Sequence, residues 1–186
     1  MSALGDTLRA LAQVLDAEGL RWYVFGAQAV NVRGAPRATQ DVDITVEVDR
    51  ARLAHLTSEL ERRGIQHRYP DIAEELLSSG AVLPMRHHSA MEVDLVIAGP
   101  GLEMLALDRA ERVVVDGVPV PVACATDLVV MKVLAGRGKD QDDIRALLSS
   151  GQVDLGEARD LISQLEAALG QSDLLPILDE AIDDIG

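Results

Sequence analysis

The run Asp41-Val42-Asp43-Ile44-Thr45-Val46-Glu47-Val48 constrains this chain more than any other segment. Val42, Ile44, Val46 and Val48 fall at every second position, the period of a β-strand with one face in a core. Asp41, Asp43, Thr45 and Glu47 take the other face, which sets two aspartates about 7 Å apart along one side of the backbone. At an effective dielectric of about 20, two unit charges some 6 Å apart repel by on the order of 3 kcal/mol, a sizeable share of a small domain's stability. A divalent cation such as Mg²⁺ or Mn²⁺ would reverse the sign of that interaction. The alternative is a solvated strand face, which is what a lone Asp-x-Asp pair suggests.

The flanking segments make the pair less solitary. Leu4, Leu8, Leu11 and Leu15 form one helical stripe ended by Gly19, and Trp22 to Phe25 reads as a short strand. Gly26-Ala27 breaks that strand, and Gln28 to Val32 makes a short helix ended near Gly34 and Pro36. A strand, a glycine turn and a helix start together offer backbone N–H groups to a phosphate. Downstream, Asp49 to Arg63 is a helix with Leu53, Leu56 and Leu60 inward, and Asp71 to Ser79 a shorter one. Met91 to Ile97 is a further strand whose second acidic face carries Glu92 and Asp94. Asp94 is therefore a candidate third carboxylate beside Asp41 and Asp43, with Glu92 in reserve.

Asp116-Gly117 between valine runs predicts a hairpin over Val113 to Val122. Helices follow from Thr126 to about Ala135 and from Asp140 to Leu148, with two acidic, leucine-bearing helices after Asp154. The expected fold class is α/β (α+β): a mixed sheet flanked by helices over residues 1–125, with a helical tail over 126–186 packed on it. At 186 residues and 48% hydrophobic content, one compact unit is the default.

Net charge is −14, which argues against nonspecific DNA binding, because such affinity comes from cations that release phosphate counterions. A polynucleotide would need a local basic patch. Two stretches qualify, Arg62, Arg63, His67 and Arg68, then Arg86, His87 and His88; a solvated helix end and a polar loop are the plainer readings. No apolar run reaches the roughly 20 residues of a membrane span, and no signal-peptide pattern opens the chain, so a cytoplasmic protein is expected. His55, His67, His87 and His88 lack metal-ligand spacing and read as surface or loop residues, while the single Cys124 reads as a buried reduced thiol. Lys132 lies inside the apolar run Leu128 to Leu134, where a buried lysine needs an anionic partner. A triphosphate is one such partner, and snorkelling to solvent is the alternative.

The segment FGAQAVNVRGAPRATQDVDITV resembles the opening of nucleotidyltransferases of the DNA polymerase β superfamily, where a small-residue turn precedes a helix and an Asp-x-Asp strand. It is similar in particular to the small bacterial toxin–antitoxin branch that includes AbiEii-like proteins. The likeness extends to MEVDLVI and to TDLVVMKVLAGRGKDQDDIRAL, and does not cover residues after about 150. It implies that Gly26 and Ala27 meet the triphosphate of an NTP, that Asp41 and Asp43 bind Mg²⁺ or Mn²⁺, and that Asp94 is the third ligand and a base. It places Arg37 and Thr39 in a Pro-Arg-x-Thr element beside the nucleotide, and it favours phosphate as the partner of Lys132. Ala27 departs from the usual serine or glycine, so a hydroxyl contact to phosphate is lost while the backbone N–H remains. The implied activity is transfer of an NMP to a hydroxyl of tRNA or of a protein, in a toxin–antitoxin setting with a cognate antitoxin. The alternatives are an aminoglycoside or lincosamide acceptor, or an inactive nucleotide- or partner-binding module of the same fold.

Overall fold

The computed structural model describes residues 2–34, 38–79 and 82–185. Helix α1 (Ala3–Ala17) leads into β1 (Arg21–Phe25), α2 (Gly26–Arg33), β2 (Asp41–Glu47) and α3 (Arg50–Arg62). Then come β3 (Ile65–His67), α4 (Ala73–Ser79), β4 (Val82–His87), β5 (Glu92–Ile97), α5 (Leu102–Arg109), β6 (Glu111–Val115) and β7 (Val118–Val122). The chain continues through α6 (Ala125–Ala135), α7 (Gly138–Ser149), α8 (Leu155–Leu169) and α9 (Leu174–Asp183). Among the described residues no helix is long and apolar enough to cross a membrane. Two compact units result, one of residues 1–28 and 38–123, the other of 29–37 and 124–186.

The first unit contains the whole sheet, in the order β3-β4-β5-β2-β1-β7-β6. β2 runs antiparallel to β1 and parallel to β5, and β1 runs parallel to β7. The alternation around Asp41 decides which face is buried: Val42, Ile44 and Val46 are fully enclosed, as are Val93 and Leu95 on β5. α1 buries Leu8, Leu11 and Leu15 and touches α3, β1 and β7, while α3 buries Leu53, Leu56 and Leu60 and touches β3. Each such leucine contributes roughly 1.5–3 kcal/mol of burial. Ser2 caps α1 by accepting a hydrogen bond from the Gly5 amide, 3.1 Å. The β6–β7 hairpin turns on Asp116 and Gly117, both at positive φ (48° and 79°), the type I′ geometry expected of this dipeptide.

Several elements differ from expectation. α2 starts at Gly26, directly from β1, because Gly26 at φ +64° turns the chain without a loop. β3, β4 and α5 were not anticipated, and two of the three strands on the β5 side of β2 therefore come from unread sequence. His87 is buried on β4 rather than at the surface, with Nδ1 2.7 Å from Ser89 Oγ. Cys124 is only half-buried, at the N-cap position of α6.

In the second unit, Lys132 of α6 is almost wholly buried and donates to Asp140 Oδ1 at 2.8 Å and Asp143 Oδ2 at 2.7 Å, both on α7. Arg137 Nε adds a 2.7 Å bond to Asp140. Burial raises the affinity of Asp140 for a proton, but the bonds from Arg137 and Lys132 outweigh it and hold its carboxyl below the usual range.

Candidate active site

Sheet register does most of the assembly. Asp43 pairs with Asp94 across the parallel β2–β5 ladder, and Asp41 pairs with Glu92, so all four acids stand on one face. On the other side of β2, Asp43 pairs with Phe25, the last residue before Gly26. The chain therefore makes its turn into α2 directly over Asp43. The approach is close enough that a Cβ on Gly26 would lie 1.9 Å from Asp43 Oδ2. Only a glycine fits there, and its φ of +64° independently favours one. Ala27 is buried in the first turn of α2, and buried Gln28 donates Nε2 to the Asp41 carbonyl at 3.3 Å.

Thr39 Oγ1 donates to Asp41 Oδ1, which joins Thr39 to the same group of side chains. Arg37 lies outside the described residues. Lys132 belongs to the second unit, where Asp140 and Asp143 provide the anionic partners its burial demands.

One participant was not foreseen. Arg68, just after β3, donates Nη2 to Asp94 Oδ1 and Nη1 to Glu92 Oε2, the latter at 2.6 Å. Arg86 on β4 donates to the other oxygen of Glu92 at 2.7 Å. Glu92 is thus clamped between two guanidinium groups, and the Arg86 bond foremost holds its carboxyl below the usual range. Asp94 goes the other way: burial raises its carboxyl above the usual range, Arg68 opposes the rise, and the charges of Asp41 and Glu92 add to it. The only sequence signal for Arg68 was its membership of a basic stretch, because its partners lie 24 and 26 residues away.

The donor chemistry suits a hard divalent ion, since Asp41, Asp43 and Asp94 offer carboxylate oxygens from neighbouring strands. Among the described residues no group of three or more His, Cys, Asp and Glu side chains is gathered closely enough to hold an ion, and Arg68 is bonded to Asp94.

Residues 3–173 match the family model described as nucleotidyltransferase of unknown function (DUF6036). The chain belongs to this nucleotidyltransferase family. Its fold is similar to that of the antibiotic-resistance factor ANT(2″)-Ia in solution, with a TM-score of 0.60 at 13% identity over 91% of this chain and 95% of that one. ANT(2″)-Ia in complex with adenylyl-2″-tobramycin gives 0.58 at 13% identity over 90% and 99%. The lincosamide antibiotic adenylyltransferase LnuA, lincomycin-bound, gives 0.52 at 15% identity over 77% and 96%. At these identities the likeness is one of fold. No curated protein matches the nucleotidyltransferase chain in sequence.

Proposed function

We propose that the chain transfers a nucleoside monophosphate from an NTP to a hydroxyl acceptor, using divalent metal held by Asp41, Asp43 and Asp94. One observation carries this reading: the Gly26 turn, from which α2 starts, lies against the carboxylate of Asp43, which is itself in register with Asp94. Phosphate-binding amides and metal-binding carboxylates then meet at one point. The amides of Gly26 and Ala27 hold the triphosphate, and Thr39 steadies Asp41. A divalent ion held by Asp41, Asp43 and Asp94 would offset phosphate charge and polarise the α-phosphate. The acceptor oxygen bonds to the α-phosphorus, the bond to the β-phosphate oxygen breaks, pyrophosphate leaves, and Asp94 is placed to receive the hydroxyl proton. Arg68 neutralises Asp94 until then and must yield that carboxylate when the site fills.

For the acceptor, the motif resemblance supports tRNA or a protein, with a cognate antitoxin as regulator. A net charge of −14 and the fold shared with antibiotic adenylyltransferases support a second reading, a cationic small-molecule acceptor. The test is incubation with each radiolabelled NTP, Mg²⁺ or Mn²⁺, and separate pools of tRNA, protein and aminoglycosides. Label transfer to one pool, abolished by Asp41→Asn with Asp43→Asn, is the expected result. No transfer, with no NTP binding, would leave a partner-binding module of the same fold.

A further inference from the structure

We propose that the cavity walled by β3, β4 and the β4–β5 turn binds a phosphate group of the acceptor, so that the acceptor is a phosphate-bearing alcohol rather than a cationic antibiotic. This rests on the transfer reading above and names the substrate class for the same site.

The chain carries 31 acidic residues against 17 lysines and arginines. Against that background, the lining of a cavity of about 350 Å³ in the first unit includes Arg68, Arg86 and His88 and no carboxylate, while buried His87 belongs to the opposite, core-side face of β4. The two basic stretches of the sequence lie almost twenty residues apart, yet the β3–β4 ladder joins them by pairing Gln66 with Arg86 and Ile65 with His87. Pairing fixes their direction too. Arg86 is opposite Glu92, and the Arg68 amide bonds the carbonyl of Pro84, which is opposite Asp94. Both arginines therefore stand on the face that carries Asp41 and Asp43.

A second cavity of about 390 Å³, lined by Thr39, Asp41 and Glu92, shares Arg86 and Ala90 with the first. The anion-binding wall thus adjoins the carboxylates without including them. Glu92, bonded to both guanidinium groups, is a positioning residue that fixes their separation. His88 completes the wall by lying over Gly64, where a Cβ would sit 2.4 Å from its Nδ1. Ala90, on the shared rim, adopts φ +71°, a left-handed conformation that disfavours a non-glycine residue.

Global charge does not overrule this local one. At physiological ionic strength, exposed charges are screened over about 8 Å, so the nearby groups decide what enters the cavity: Arg68, Arg86 and His88 on its wall, with Glu92 and Asp94 as the carboxylates paired to the two arginines. Its volume lies at the low end of the roughly 300–1,000 Å³ found for small-ligand sites, with room for one sugar-phosphate unit. An ammonium-rich antibiotic would meet two arginines there.

The test is equilibrium binding to the full chain in EDTA, without nucleotide. The probes are a 5′-phosphorylated RNA trinucleotide with a free 3′-hydroxyl, ribose 5-phosphate, and tobramycin. The phosphate-bearing probes should bind, and their affinity should fall tenfold or more in Arg86→Ala and in His88→Ala; Arg86→Lys should restore part of it. Both residues are exposed, so the variants should keep their melting temperatures, and His88→Ala alone carries the test if Arg86→Ala does not. RNA tighter than ribose 5-phosphate by tenfold identifies a polynucleotide end, and equal affinities identify a small phosphorylated sugar. Binding of tobramycin alone, or phosphate-probe affinities unchanged in both variants, would overturn the proposal. Failure of the wild type to bind Mn²⁺ with any NTP would bring down the transfer reading separately, because the cavity is assayed without nucleotide.

Discussion

Gly26 and the carboxylate of Asp43 share a space that admits no side chain on the glycine, since a Cβ there would come within 1.9 Å of Oδ2. Gly26→Ala must therefore displace the carboxylate or the turn. It must also hold alanine at φ +64°, so a loss of about 1–3 kcal/mol in urea denaturation is expected. NTP affinity should fall at least tenfold with it. Partial restoration of stability, but not of NTP binding, in the double variant Gly26→Ala with Asp43→Ala would locate the clash at this carboxylate, the remainder being the strain of alanine at φ +64°. A single variant as stable as wild type would show that the turn does not need glycine.

Asp41 and Asp43 together should account for the response to metal. A ligand that binds only the folded state adds about 2.7 kcal/mol at a hundredfold excess over its Kd, which raises the melting temperature of a domain this size by a few degrees. Wild type should show that rise with Mn²⁺ plus NTP and lose it in EDTA. Asp41→Asn with Asp43→Asn should show no rise and should be at least as stable as wild type without metal. Equal responses in both proteins would remove the metal site.

Lys132 offers a test that is independent of catalysis. Lys132→Met leaves Asp140 and Asp143 buried without its ammonium, a change that typically costs about 3–5 kcal/mol. The triple variant that also carries Asp140→Asn and Asp143→Asn should recover much of the loss, as read by urea midpoints. A single variant within about 0.5 kcal/mol of wild type would mean that the α6–α7 cross-link is not a stabilising contact.

His87 should make the fold sensitive to mild acid. Burial foremost, then the neighbouring His88, depress its proton affinity, while Asp6 pulls the other way. The folded state then holds fewer protons than the unfolded chain. The stability this contributes is present above about pH 6.5 and is lost as pH falls through the depressed folded value. Urea denaturation at pH 7.5 and pH 5 should show a smaller acid loss for His87→Asn than for wild type. Identical losses would assign the acid sensitivity to other groups.

The legible parts of this chain were those where local chemistry and tertiary structure agree. Val42, Ile44 and Val46 alternate because they share the fully buried, core-side face of β2, and Asp116-Gly117 supplies the two positive φ values its hairpin needs. β3 was illegible because three residues carry no period, and β4 because Pro84 interrupts a strand pattern. The cost of missing them was Arg68. Its role depends on a register set by β3 and β4 together, and nothing within its own neighbourhood in sequence pointed to Asp94. Lys132 was legible as a buried cation but not as to its partner, since a phosphate and a pair of aspartates satisfy it equally well.

The sheet order has a consequence for the chain during synthesis. β1 and β2 are made early and pair with each other, but Asp94 arrives on β5 some fifty residues after Asp43, and β1 gains its second neighbour only when β7 emerges. Because long-range strand pairing is slow and domains fold as units, a nascent chain that has not yet exposed residue 122 carries the Asp41–Asp43 pair in a sheet that still lacks the β1–β7 pairing. The site is thereby incomplete on the ribosome until nearly two thirds of the chain has been translated.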